Sequence, residues 1–234
     1  MRVGVVIPTL DEAARLGQRL FEVRERLHNL TAVVVADGGS RDATVAIARS
    51  DPGVRVISAP RGRASQMNAG ASCLGETETD VDVLLFLHAD VALPFDAGRW
   101  IERALANPKV VAGAFRTWTI ADGARTWWSP LLHLADLRSR YSGLPYGDQA
   151  VFVRANAFED VGGFPEQALL EDLELARRLR RTGRIEIVPA SVRVSGRRFL
   201  ARPLLFTLAV NTFPLLYRAG VSPEFLRRFY ADVR

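Results

Sequence analysis

What most constrains this chain is the alternation in its first half. Four apolar, largely β-branched runs stand at Val3–Ile7, Ala32–Ala36, Val54–Ser58 and Asp82–Leu87. Between them lie Asp11–Leu27, Asp42–Ser50 and Ala64–Leu74, each with apolar residues at helical spacing. Ala13, Leu16, Leu20, Val23 and Leu27 make one apolar face of the first of these, and Arg15, Arg19, Arg24 and Arg26 fall elsewhere. Strands that are apolar throughout and joined by helices predict an α/β fold with a mainly parallel sheet covered on both faces. Ligands of such sheets bind outside the carboxyl ends of the strands.

That rule directs attention to four short segments: Pro8-Thr9-Leu10-Asp11-Glu12, Asp37-Gly38-Gly39-Ser40, Ala59-Pro60-Arg61-Gly62-Arg63 and His88-Ala89-Asp90. Three carry carboxylates and the other carries two arginines, a concentration that a purely structural sheet does not require. Asp37 can accept hydrogen bonds from a ribose or base, with Gly38 allowing close backbone approach; a plain glycine turn, with Asp42 capping the next helix, is the alternative. Asp11 and Glu12 read equally as a helix start. Arg61 and Arg63, with Gln66 and Asn68 following, suit a diphosphate at a helix N-terminus or a solvated loop. His88 and Asp90 are two apart, on one side of an extended chain, and Asp90 suits a hard cation that bridges phosphates. A turn aspartate beside a core histidine is the alternative.

Further along, Val110–Phe115 and Ala150–Val153 read as strands. The tryptophan-rich stretch after the first leads into a helical segment ending at Arg140, and Trp127 and Trp128 either pack or line a groove. Gly147-Asp148-Gln149 lies in a loop, and a turn at Gly162-Gly163-Phe164-Pro165 precedes a helix over Glu171–Thr182. Glu171 and Asp172 favour that helix N-terminus, and a carboxylate there can also serve as a general base. No Ser-His-Asp or Cys-His arrangement and no zinc spacing is present.

With 234 residues, 48% hydrophobic and 24% charged, the chain suits a single large core and is neither disordered, collagenous nor a disulfide scaffold. Cys73 is its only cysteine. The net charge is +5 and Lys109 is the sole lysine, so the positive charge is almost all arginine, suited to phosphate and carboxylate partners.

In order and spacing, VVIPTLDEA, VVVADGGSRDAT, APRGRASQMNAGA, LLFLHADV, GDQAVFVRANAFEDVGGFPE and LLEDLELARRLRR resemble the inverting nucleotide-sugar glycosyltransferases of family 2, which have the GT-A fold. The likeness runs from Val5 to Arg181, and within the family it is greatest to the small bacterial radical-SAM/selenodomain-associated transferases. It implies that Thr9, Glu12, Asp37 and Gly38 hold the nucleoside. Arg61 or Arg63 would reach the diphosphate, with Gln66, Asn68 and Ala89 beside the donor. Asp90 matches the last aspartate of the family's metal-binding triplet, with His88 in its first position. Asp172 matches the general base of the Glu-Asp pair, and Glu171 its neighbour. Gly147, Asp148 and Gln149 would line the acceptor or donor-sugar pocket. The expected cofactor is Mg2+ or Mn2+, with Arg197 or Arg198 helping to neutralise the leaving diphosphate.

The resulting expectation is an inverting transfer from a nucleoside diphosphate sugar, a UDP-sugar first among them, to an unknown acceptor hydroxyl. Nucleic acid is not an expected partner. The rival readings are a sugar-1-phosphate nucleotidyltransferase, whose Gly-x-Gly-Thr-Arg loop is missing after the first strand, and a non-catalytic nucleotide-sugar or lipid-phosphate binding protein. Residues 1–198 are read as the transferase domain. Residues 199–234 are read as a helical extension packed on it, two helices broken near Gly220-Val221-Ser222-Pro223, for peripheral membrane contact or homodimerisation. The expected location is the cytoplasm, at the inner face of the membrane if the extension meets lipid.

Overall fold

The computed structural model describes residues 1–77, 80–121, 133, 136–137, 139–140, 143–196 and 203–231. Among the described residues, eight strands form one sheet: β1 Val3–Thr9, β2 Leu30–Asp37, β3 Val54–Ser58, β4 Val83–Phe86, β5 Val91–Ala92, β6 Val110–Ile120, β7 Phe152–Arg154 and β8 Arg184–Ser195. Their order is β3-β2-β1-β4-β7-β6-β8-β5. The first four are mutually parallel; β7 pairs antiparallel with both β4 and β6, β6 and β8 are parallel, and β5 closes the far edge antiparallel to β8. The parallel sheet expected from the first half is therefore present, and the second half adds a mixed portion.

The alternation of strand side chains divides the core in two. Val3, Val5 and Ile7 face one side, where Leu16, Leu20, Val23 and Leu27 of α1 (Ala13–Arg26) and its C-cap cover them. Val6, Val34, Leu84 and Phe86 face the other, under Ala64, Met67, Ala71 and Leu74 of α3 (Arg63–Thr77). Helix α2 (Thr44–Arg49) follows β2, α4 (Ala97–Leu105) precedes β6, α5 (Ala155–Asp160) follows β7 and α6 (Glu171–Thr182) precedes β8. Phe86, Phe158 and Phe164 form a ring cluster with centroids 4.8 to 5.6 Å apart, fixing the turn before α6 against β4.

Several boundaries differ from the sequence expectation. β6 continues to Ile120, because β8 pairs with its whole length. The strand expected from Ala150 starts at Phe152, since Ala150 is left-handed with φ 47°. His88 to Asp90 is no extended strand: the Val91 N–H donates to the His88 carbonyl at 3.0 Å and closes a turn. His88 and Asp90 are therefore not set on one side of the chain by strand alternation, as expected from their spacing. Most of the helical stretch before Arg140, with Trp127 and Trp128, lies outside the described residues, as do Arg197 and Arg198.

The C-terminal helices are α7 (Pro203–Arg218) and α8 (Pro223–Ala231), separated as expected. The Tyr217 hydroxyl bonds Glu174 of α6 at 3.1 Å, and burial, with the Glu174 charge, raises the Tyr217 pKa. Leu208, Leu215, Leu216, Phe225 and Phe229 are exposed. Among the described residues no helix is long and apolar enough to cross a membrane.

Helix α3 approaches β1 closely at Gly70, where a Cβ would collide with the Val6 side chain. Gly70→Ala is expected to destabilise the protein by about 1–3 kcal/mol through overpacking, read as a lower urea midpoint. An unchanged midpoint would show that the helix can shift away freely.

Candidate functional site

Because β1 to β4 are parallel, their carboxyl ends share one edge, and the four segments singled out in the sequence gather there. At the ends of β1 and β2 the loops are stitched together. Asp37, 5% exposed, accepts from the Gly39 and Ser40 amides at 2.9 Å, from the Ser40 hydroxyl and from the Thr9 hydroxyl at 3.1 Å. Burial alone would raise its pKa, but the hydrogen bonds from Ser40, Gly39 and Thr9 outweigh that and hold it below the ordinary value. Ser40 receives the Asp11 amide, Asp11 accepts from the Arg41 amide, and the Glu12 amide donates to Thr44 Oγ1 at 2.8 Å. Asp42 accepts from the Thr44 and Ala13 amides, so it serves two helix starts at once.

Two residues expected beside the donor are committed to the frame. Gln66 donates both hydrogens of its amide, at 2.8 Å each, to the carbonyls of Thr9 and Ala36 and lies against Gly38. Asn68 exchanges two hydrogen bonds with the Phe164 backbone and pins the turn before α6. Arg61 and Arg63 follow β3, whereas His88 to Asp90 follow β4, and β2 and β1 stand between them. At a strand spacing of about 4.8 Å, the two ends are roughly 14 Å apart. The loops that carry the arginines and Asp90 thus start three strand spacings apart on the edge.

The β4 end meets the second half of the chain. The 3-10 turn Gly147–Gln149 is held on β6 by buried Gln149, which donates to the Phe115 carbonyl at 2.9 Å and accepts from the Tyr146 amide. Gln149 is therefore a pin, and its side chain faces backbone where a sugar was expected. The Gly147 amide donates to Asp172 Oδ2, and Asp172 Oδ1 accepts from the Leu173 amide at 2.7 Å. A Cβ on Gly147 would lie 2.9 Å from His88 Nε2 and 3.3 Å from Asp172 Oδ2. His88, Gly147 and Asp172 thus come together around one glycine. Asp172 is half-buried at the start of α6, Glu171 is buried beside it and Asp148 is half-buried. Among the described residues, Asp172 is also the one charged residue lining an apolar pocket formed with Met67, Phe86, Phe164 and Leu175.

A buried ion cluster backs the His88–Asp90 turn. Arg19, 6% exposed, donates to the carbonyl of buried Ala89 at 3.4 Å and pairs with Glu22. Arg26 pairs with the same glutamate at 3.4 Å and donates to the Leu93 carbonyl. Burial lowers the Arg19 pKa, opposed by Glu22 and by Asp90, whose charge reaches it. Helix periodicity put Arg19 on the polar face; its burial depends on a segment some seventy positions away lying over it.

Among the described residues, no group of three or more His, Cys, Asp or Glu side chains gathers to hold a metal. Asp90 offers one carboxylate and His88 one imidazole. That set fits a hard cation held by one or two carboxylates with phosphate oxygens and water completing its shell.

A family model described as glycosyl transferase family 2 matches residues 4–162. The chain belongs to glycosyl transferase family 2. The succinoglycan biosynthesis protein ExoA of Rhizobium meliloti is 32% identical over 194 residues, covering 76% of this chain and 58% of the relative. The chain therefore spans less than two-thirds of that relative's length. In fold it is similar to the mannosyltransferase PcManGT of Pyrobaculum calidifontis, solved with GDP-Man and Mn2+ (TM-score 0.63, 22% identity, 99% of this chain and 69% of that one). It is also similar to S. aureus TarS solved with UDP-GlcNAc (TM-score 0.60, 16% identity, 100% and 71%). The expected GT-A-type fold is thus present, and this family 2 chain carries its strand-end segments on the shared edge.

Since Asp37 ionises more readily when folded, its contribution to stability is present above its unfolded pKa and is lost as pH falls through the lower folded value. Asp37→Asn should remove that dependence. Wild type is expected to lose more stability than the variant as the pH is lowered from about 4, read in urea midpoints. Parallel losses would contradict it.

Proposed function

We propose that this family 2 protein transfers a sugar, with inversion, from a nucleoside diphosphate sugar to an acceptor hydroxyl. The observation that carries the reading is the half-buried Asp172 carboxylate, held by two backbone amides and set beside His88 at the ligand edge of the sheet. Its oriented oxygens suit a base that takes a proton from an incoming hydroxyl. The acceptor oxygen then forms its bond to the anomeric carbon while the bond to the diphosphate oxygen breaks. That electron pair leaves with the nucleoside diphosphate, and the proton stays on Asp172. Glu171 supports the position of Asp172 from the first turn of α6.

At the other end of the edge, the loops bearing Thr9, Glu12, Asp37 and Gly38 receive the nucleoside. Gln66 and Asn68 act by shaping these loops, and Gln149 by fixing the turn that carries Gly147 and Asp148. Arg61 and Arg63, beyond β2, belong with the nucleoside end. Asp90 and His88 would hold Mg2+ or Mn2+, which when bound neutralises charge on the leaving diphosphate. Arg19 keeps the Ala89 carbonyl, and with it the His88–Asp90 turn, in place from behind. The nucleotide sugars held by PcManGT and TarS support a donor of this class, GDP- or UDP-linked.

Asp172→Asn is expected to lower donor hydrolysis and transfer by roughly 100- to 10,000-fold while nucleoside diphosphate binding, followed by calorimetry with Mn2+, stays unchanged. Full turnover in the variant would remove Asp172 from its role. Binding without turnover in the wild type, across UDP- and GDP-sugars and varied acceptors, would instead make the protein a nucleotide-sugar binding module.

A further inference from the structure

A second constructed feature stands on the ligand edge, outside every motif of the donor site. β4 and β6 are both antiparallel to β7, so β6 runs in the direction of β4 and ends on the same edge. Its last residues pair with β8, Trp118 opposite Arg193 and Ile120 opposite Ser195, and the Ser195 amide donates to the Asp90 carbonyl at 3.2 Å. The strand that carries the Gly147–Gln149 turn at Phe115 therefore presents Trp118 three residues later, about 10 Å along it.

Trp118 is 45% exposed, large for an indole. The His133 ring stacks on it, centroids 4.5 Å apart and planes tilted by 34°. His133 is itself held by a carboxylate: Nδ1 lies 2.8 Å from Asp136 Oδ2, and the Asp136 side chain is 3% exposed. A carboxylate is buried only at a cost unless its oxygens are satisfied. Asp136 meets that condition by also accepting from the Thr119 amide and from the Thr119 hydroxyl at 2.8 Å. Ser139 accepts the Thr117 amide at 3.0 Å and donates to the Asp136 carbonyl at 2.6 Å. These bonds occupy the edge of β6 past Gly113, where pairing with β7 ends. The result is two stacked rings locked to a strand end. With Nδ1 donating to Asp136, Nε2 of a neutral His133 is an acceptor.

Packing alone does not require a part-exposed indole backed by an imidazole with a buried orienting carboxylate. A pyranose ring fits this pair: its C–H face is apolar and suits the ring faces, and a rim hydroxyl can donate to Nε2. We propose that Trp118 and His133 form the acceptor subsite, that Asp136 positions His133, and that the acceptor is a carbohydrate bound by ring stacking. The word acceptor rests on the transferase reading above; binding of a pyranose at the pair does not.

The test uses the full chain with methyl glucopyranoside, methyl galactopyranoside and methyl mannopyranoside as probes, followed by saturation-transfer NMR. At least one is expected to bind wild type through its ring C–H protons. Trp118→Ala should weaken it about tenfold, Trp118→Tyr should restore most of it, and Asp136→Asn should lower it. Binding of UDP or GDP with Mn2+ should be unchanged in all variants, which also shows that they are folded. Equal pyranoside binding in Trp118→Ala, or none in wild type, overturns the proposal. Loss of nucleotide binding in wild type with pyranoside binding intact would instead overturn the donor reading and leave this subsite standing.

Discussion

The geometry of the ligand edge depends on the hydrogen bond from the Gly147 amide to Asp172. It joins the start of α6 to a turn seated on β6, and the missing side chain of Gly147 lets His88 from the β4 end close in on the same point. Any Cβ there would press on the imidazole and on the carboxylate together. Three stretches distant in sequence are thereby held at one position, and the carboxylate is aimed by backbone, which does not change rotamer. A side-chain partner would cost conformational entropy to fix in the same geometry.

Around that point the edge divides its work. The loops of β1 and β2 are tied to each other through Asp37, which accepts from Thr9, Gly39 and Ser40. The buried Arg19–Glu22–Arg26 cluster gives the His88–Asp90 turn a fixed backing from α1. Preorganisation of this kind suits a site that must stabilise charge on a departing diphosphate without first rearranging. β6 extends the same edge and ends in the Trp118–His133 pair.

The parallel half was legible because its signal is local: Val3–Ile7, Ala32–Ala36 and Val83–Leu87 are apolar throughout, and the intervening helices keep their period. Glu171–Thr182 was read to its ends for the same reason. β8 was not, because its pattern breaks within the strand: opposite Phe115 and Arg116 the register jumps from Val188 to Ser191, so Ile185 and Ile187 lose phase with Val192 and Val194. β5 has only two residues and exists by pairing with β8. In the site, Asp172, His88 and Gly147, each singled out by a motif, come together around one position. The motifs did not distinguish amides that meet a ligand from amides that meet backbone, since Gln66, Asn68 and Gln149 are equally polar in either role. Arg19 went unread because its burial is set by a turn some seventy positions away, and the Asp136–His133 pair because Asp136 is held by the end of β6, outside its own segment.

Inversion with Asp172 as the base requires that Asp172 and the departing diphosphate lie on opposite faces of the anomeric carbon. The most direct test is proton NMR of the sugar first released when wild type hydrolyses an α-linked nucleotide sugar such as UDP-glucose or GDP-mannose, read before mutarotation. The predicted product is the β anomer, from a single displacement by water activated at Asp172. Release of the α anomer first would mean retention and would contradict it.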